Sequence, residues 1–283
     1  MDTEDELLAT CWTTAGAADP AGADQRSPLG LRERAEAASA AGFTGFGLVH
    51  ADLLVAEREH GLAGIRSIFE DNGLAHIELE ALAGWWADGP RRAASDTVRH
   101  DLLRAAEALG ARHLKIHGDV EDGPLHFDVW AGEFAALAAE AESVGARVGI
   151  EFLPWSNIRT VHDALRLVEA AGHPAGGVLI DVWHTERAHT PPAELADVPL
   201  SRIVGVELND ADSMVVGSLF EDTVRRRRLC GEGSFDLPGV IAALRTAGWR
   251  GPWGVEILSD AHRKLPVREA AEVAYRTAAA ALA

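Results

Sequence analysis

Four short apolar runs in the second half of the sequence each end on an acid: Val148-Gly-Ile-Glu151, Val178-Leu-Ile-Asp181, Val204-Gly-Val-Glu207 and Trp253-Gly-Val-Glu256. Taken singly, each acid reads as a solvated loop-start residue or a helix N-cap. Four of them at equivalent positions read differently. Carboxylates brought together repel, and one would keep its proton unless a cation shared the site. A divalent metal satisfies all four at once, and an all-oxygen donor set suits hard ions, Mn²⁺ or Mg²⁺, better than zinc. Glu151, Asp181, Glu207 and Glu256 are therefore the expected metal ligands.

Other residue types fall around this set. His184 follows Asp181 by three positions, so it sits beside the ligand rather than on it, where an imidazole can contact a substrate oxygen or transfer a proton. Arg225-Arg226-Arg227-Arg228 precedes Gly231-Glu232-Gly233. A run of four arginines reads equally as a solvated basic loop, with one member pointing inward. Arg228, nearest the glycines, is the expected inward one, with Arg227 and Arg226 as alternatives, because a guanidinium fork grips carboxylate or vicinal oxygens. His117 closes Leu114-Lys115-Ile116-His117 and is a further substrate-facing candidate; Glu80 is a weaker one. Trp12, Trp85, Trp86, Trp155 and Trp183 all fall at or just past the ends of apolar runs. Aromatic faces stack on sugar or cyclitol rings, and Trp12, Trp155 and Trp183 are the expected pocket walls.

The elements that must deliver these residues follow from a loose repeat. Ala-rich helical segments stop at a glycine (Gly42, Gly73, Gly110, Gly145, Gly172, Gly248), and an apolar strand begins within a few residues. Glycine is favoured just past a helix, and repeated helix-Gly-strand junctions mean a parallel sheet with helical crossovers. Strands are expected over 7–13, 43–50, 74–79, 112–117, 147–152, 177–183, 202–208 and 252–258. Helices are expected over 27–41, 91–109, 128–144, 158–171, 236–247 and 267–282, with a short one in 191–198. Eight such units without a glycine-rich phosphate fingerprint near the first strand predict one (β/α)8 TIM barrel, a single domain over residues 1–283. In that fold the strand C-terminal ends face the site. The stretch 209–234 is expected to be a long irregular loop, and loops of that length are usually functional.

Composition bounds the alternatives. A formal net charge of −18 over 283 residues argues against a nucleic-acid surface. Two cysteines, Cys11 and Cys230, carry no metal-type spacing and exclude a disulfide framework, which suits a reducing cytoplasm. The acidic start, Met1 to Glu6, is unlike a signal peptide, and no apolar run has membrane-span length. The expected partner is a small sugar or cyclitol, with no nucleic acid and no membrane, and the chain is compatible with a homo-oligomer.

The stretches Gly149-Ile-Glu151-Phe-Leu-Pro-Trp155, Leu179-Ile-Asp181-Val-Trp-His184, Val206-Glu207-Leu-Asn-Asp210, Gly231-Glu-Gly233 and Gly254-Val-Glu256 resemble the sugar phosphate isomerase/epimerase family, the xylose-isomerase-like TIM barrels. The resemblance implies a divalent cation on Glu151, Asp181, Glu207 and Glu256, with Glu151 and Glu256 also serving as acid/base groups. It implies substrate contacts from His184 and from an arginine ahead of the Gly-x-Gly turn. Position 207 in that family is most often histidine, or glutamine in some branches; glutamate makes the site more anionic. The implied activity is isomerisation or epimerisation of a sugar-like polyol by proton abstraction beside a metal-polarised carbonyl. The alternative is a lyase, since the same enolate expels a β-hydroxyl from a keto-cyclitol or a dehydroshikimate-like acid. A non-catalytic binding subunit follows if Glu207 marks a lost metal. The endonucleases that share this barrel need a histidine-rich zinc cluster and a basic face, which this chain lacks.

Overall fold

Strand-forming runs of three to seven residues alternate with helices along the whole chain, and in the computed structural model they close on one another. The structure describes residues 5–121, 123 and 125–283; the acidic start from Met1 to Glu4 lies outside them. The strands are β1 (Leu7–Ala9), β2 (Gly45–Val49), β3 (His76–Leu82), β4 (His113–His117), β5 (Arg147–Glu151), β6 (Gly176–Asp181), β7 (Ile203–Leu208) and β8 (Trp253–Val255). They form a closed barrel in sequence order, every pairing parallel, with β1 completing the ring on β8. Helices lie between them; Gly42 and Gly172 end two of these in the left-handed conformation that a residue with a Cβ adopts at a cost.

Alternation along each strand sorts the side chains. In β4, Leu114 and Ile116 belong to the apolar core under the helices, whereas His113 and Lys115 reach acids on other strands across the barrel interior. The interior is consequently polar in two layers. Glu78 and His113 meet at 3.4 Å in the lower one, and Glu80, Lys115, Glu207 and Glu256 form the upper one. Gly205 makes room for this filling: a Cβ there would come within 3.2 Å of the His113 ring.

Several element ends differ from expectation, each for a local reason. The first strand stops at Ala9, and Cys11–Thr14 is already a helical turn, so Trp12 projects from that turn. The sixth stops at Asp181 because its carboxylate caps the helix Val182–Arg187, accepting from the His184 backbone N–H at 3.1 Å. The third runs on to Leu82 and carries Glu80 inside the barrel. Residues 209–234 are not irregular throughout. Ser218 and Glu221 form a capping box that starts a helix at Leu219–Arg226. Among the described residues no helix is long and apolar enough to cross a membrane.

Candidate active site

The barrel register brings the four acids together. Glu151 and Asp181 are the last residues of β5 and β6, Glu207 pairs with Asp181 across β6 and β7, and Glu256 follows the last residue of β8. Each offers one oxygen, and the four oxygens lie within 4.8 Å of one another. All four side chains are buried. His184 joins them: its Nε2 is 3.4 Å from Glu151 Oε1.

Above the acids opens a cavity of about 520 Å³ whose walls include Trp12, Trp155, Leu153, Phe220 and Leu258, with Glu80, His117, His184 and Arg227 among its polar lining. His117 fixes its ring by an Nδ1 contact of 2.7 Å to the Gly118 carbonyl, and burial pulls its pKa down, which favours the neutral imidazole. Trp183 is not a wall of this cavity. It is fully buried behind it, because it lies on the helix begun by Asp181, and it packs edge-on to Trp155 and His184. Its role is support. Trp85 is likewise buried, donating from Nε1 to the His117 carbonyl at 3.0 Å.

The arginine pointing inward is Arg227, not Arg228. The chain leaves its helix at Arg226 and runs extended, with Arg228 bridged to Asp210 and Arg226 bridged to Ser259. Successive side chains of an extended segment face opposite ways. Arg228 therefore points out and pairs with Asp212 at the surface, while Arg227 points in. Its Nη1 lies 2.6 Å from Asp181 Oδ2 and 2.8 Å from Glu256 Oε2. The Gly231-Glu232-Gly233 turn is not aimed at a ligand either. The backbone N–H groups of Gly231 and Gly233 donate to Asp210, at 3.1 and 2.9 Å, and a Cβ on Gly233 would collide with that carboxylate. The turn thus locks the segment that carries Arg227. Removing one partner of a buried ion pair costs about 3–5 kcal/mol, against about 1 kcal/mol or less at the surface. Arg227→Met should lose stability in the first range and Arg228→Ala in the second, read by urea unfolding; equal losses would contradict this placement.

One group was missing from the sequence reading. Lys115 is buried at the barrel centre, with Nζ 3.0 Å from Glu80 Oε2, 2.6 Å from Glu207 Oε1 and 2.9 Å from Glu256 Oε1. The signal was present, since Lys115 alternates with His113 and His117 on one face of β4. Burial alone would pull its pKa down, but Glu151, Glu207, Glu256 and Glu80 outweigh that and hold the ammonium well above the ordinary lysine range.

Five buried carboxylates (Glu80, Glu151, Asp181, Glu207, Glu256) face Lys115 and Arg227, so full ionisation would leave three negative charges unbalanced. Burial and repulsion from Glu256 push Glu207 well above the usual carboxylate range. Burial, helped by Glu80 and Glu151 and opposed by Lys115 and Arg227, pushes Glu256 up to about 8. Glu151 moves the other way: burial is outweighed by Lys115, His184 and Arg227. Glu207 Oε2 is buried with no hydrogen-bond donor among the described residues. Excess charge, an orphaned oxygen and an all-oxygen set together fit a hard divalent cation.

A closed eight-stranded parallel barrel with a carboxylate cluster at its C-terminal mouth defines a class of enzyme fold rather than one activity. The chain belongs to the xylose isomerase-like TIM barrel family, which matches residues 35–277. It is 29% identical over 250 residues to a 3-dehydroshikimate dehydratase of Pseudomonas putida, a match covering 84% of this chain but only 38% of that protein. It is 24% identical over 228 residues to an inosose isomerase of Bacillus velezensis, covering 78% of this chain and 80% of the other. Among solved structures, the IOLI protein with a binding zinc atom superposes with a TM-score of 0.83 at 18% identity, covering 98% of both chains.

Proposed function

We propose that this chain removes water from a ring β-hydroxy ketone bearing an acidic group, a 3-dehydroshikimate-like substrate, with a divalent cation, Mn²⁺ or Mg²⁺, held by Glu151, Asp181, Glu207 and Glu256. The observation that carries the reading is the gathering of these four carboxylates, with His184, beneath an aromatic-walled cavity of about 520 Å³. The dehydratase from Pseudomonas putida supports elimination over isomerisation as the outcome. Because that relative is far longer than the stretch matched, the activity of the whole protein belongs to the proposal.

Bound in the cluster, the cation would polarise the substrate carbonyl and acidify the adjacent C–H. The chain's own groups do the rest. Glu256 takes the proton from the carbon beside the carbonyl and releases it to solvent after turnover, while Glu151 holds His184 in place for proton delivery. Loss of the C–H proton leaves an enolate, whose electron pair re-forms the carbonyl and makes the C=C as the β-hydroxyl departs. His184, beside Glu151, hands a proton to that hydroxyl so that it leaves as water. Arg227 holds Asp181 and Glu256 in place, and Trp12 and Trp155 stack on the ring while limiting bulk water. A second reading, isomerisation or epimerisation of a keto-cyclitol, is favoured by the inosose isomerases and needs only that the enolate be reprotonated.

The test is product analysis by NMR, with 3-dehydroshikimate and inosose offered in parallel. Net loss of water from the first is expected. Isomerised inosose with untouched 3-dehydroshikimate would replace the lyase reading with the isomerase one.

A further inference from the structure

Lys115 has no part in the chemistry just described, yet it stands at the centre of the carboxylate basin. Burying an ammonium costs several kcal/mol unless its hydrogens are met by acceptors of opposite charge. Here three carboxylate oxygens, from Glu80 on β3, Glu207 on β7 and Glu256 just past β8, lie within 3.0 Å of one nitrogen. Three oxygens converging on one point from separate parts of the barrel is the arrangement that holds a cation, and the nitrogen occupies that point. Glu207 and Glu256 are also half of the four-carboxylate set that would hold the metal. Glu80 lies outside that set and pairs with Lys115.

We propose that Lys115 is a built-in substitute for a second cation, a specificity-determining residue that restricts the basin to one divalent ion and weakens the hold on it. A tethered ammonium cannot diffuse away, so the Glu80 side of the basin stays filled whatever the metal supply. Its charge also repels an ion shared by Glu207 and Glu256, an interaction that low-dielectric surroundings strengthen. Glu207 then brings a negative charge to the ligand set that Lys115 largely cancels, so this pair acts as one unit. The proposal rests on the metal reading above, and its test is chosen to separate the two.

Calorimetric titration of Mn²⁺ into wild type, Lys115→Met and Lys115→Arg provides that test, with no activity measurement needed. Lys115→Met is expected to bind a second Mn²⁺ per chain or to hold the first at least roughly tenfold more tightly, while Lys115→Arg stays near wild type. A lysine that merely supports the fold would give weaker or unchanged binding on removal, and that result overturns the proposal. Should Lys115→Met fail to fold, Lys115→Met/Glu207→Gln removes the charge pair as a unit and is compared with Glu207→Gln alone. Tighter binding in the double variant supports the proposal, and equal or weaker binding overturns it. Wild-type binding unchanged by Lys115→Met would overturn this proposal and leave the metal reading standing, whereas absence of binding in wild type would end both.

Discussion

Glu256→Gln should bind substrate nearly as wild type does and lose solvent-deuterium exchange at the carbon beside the carbonyl by a factor on the order of 10² or more. The expectation follows from the place of Glu256 just past β8, lining the cavity and facing both Lys115 and Arg227. Glutamine keeps the shape and one hydrogen-bonding oxygen but can neither accept nor return the proton. Because the pocket walls Trp12 and Trp155 are untouched, the loss should appear in kcat more than in KM. Exchange at the wild-type rate in both Glu256→Gln and Glu151→Gln would place the base elsewhere, with His184 or His117 the next candidates.

Glu151→Gln or Asp181→Asn should weaken Mn²⁺ binding by at least about 10², since even partners outside the ligand set typically cost 10–100-fold. The barrel should survive. Glu151 Oε1 has no strong donor among the described residues, where His184 pairs with it at 3.4 Å. Asp181 differs, because Asn209 and Arg227 both donate to its Oδ2 and the His184 N–H donates to Oδ1. Asparagine there leaves Arg227 with less charge to face, so Asp181→Asn is the variant expected to lose stability as well as metal. Calorimetry beside a urea melt separates the two effects, and unchanged Mn²⁺ affinity in either variant would remove that residue from the ligand set.

How far the sequence reached depended on the range of the interactions involved. The barrel was legible because helix-stop glycines and short apolar runs are local signals repeated along the chain. The gathering of the four acids was legible because each marks the end of its own strand, and the fold alone aligns strand ends. Arg227 ranks behind Arg228 in the sequence for a reason of register: proximity to Gly231 favours Arg228, whereas the bridge from Arg228 to Asp210 sets which side chain turns inward, and a slip of one residue reverses the choice. Lys115 was missed because its partners lie on or just past three other strands, so nothing adjacent in sequence announces them. Trp183 reads as a wall only if the sixth strand continues to it; once Asp181 caps a helix, the next residues turn away from the cavity. The helix within 209–234 carried a readable start signal, Ser218 and Glu221 three apart, which the arginine run obscured.

The most direct test of a metal-assisted proton abstraction at this carboxylate cluster is to follow 3-dehydroshikimate by NMR in deuterated water. The purified protein is measured as isolated, after exhaustive chelation, and after Mn²⁺ is restored. Loss of water accompanied by deuterium entry is expected, abolished by the chelator and recovered with Mn²⁺. Turnover indifferent to chelation, or Mn²⁺-loaded protein that neither exchanges nor eliminates, would contradict it.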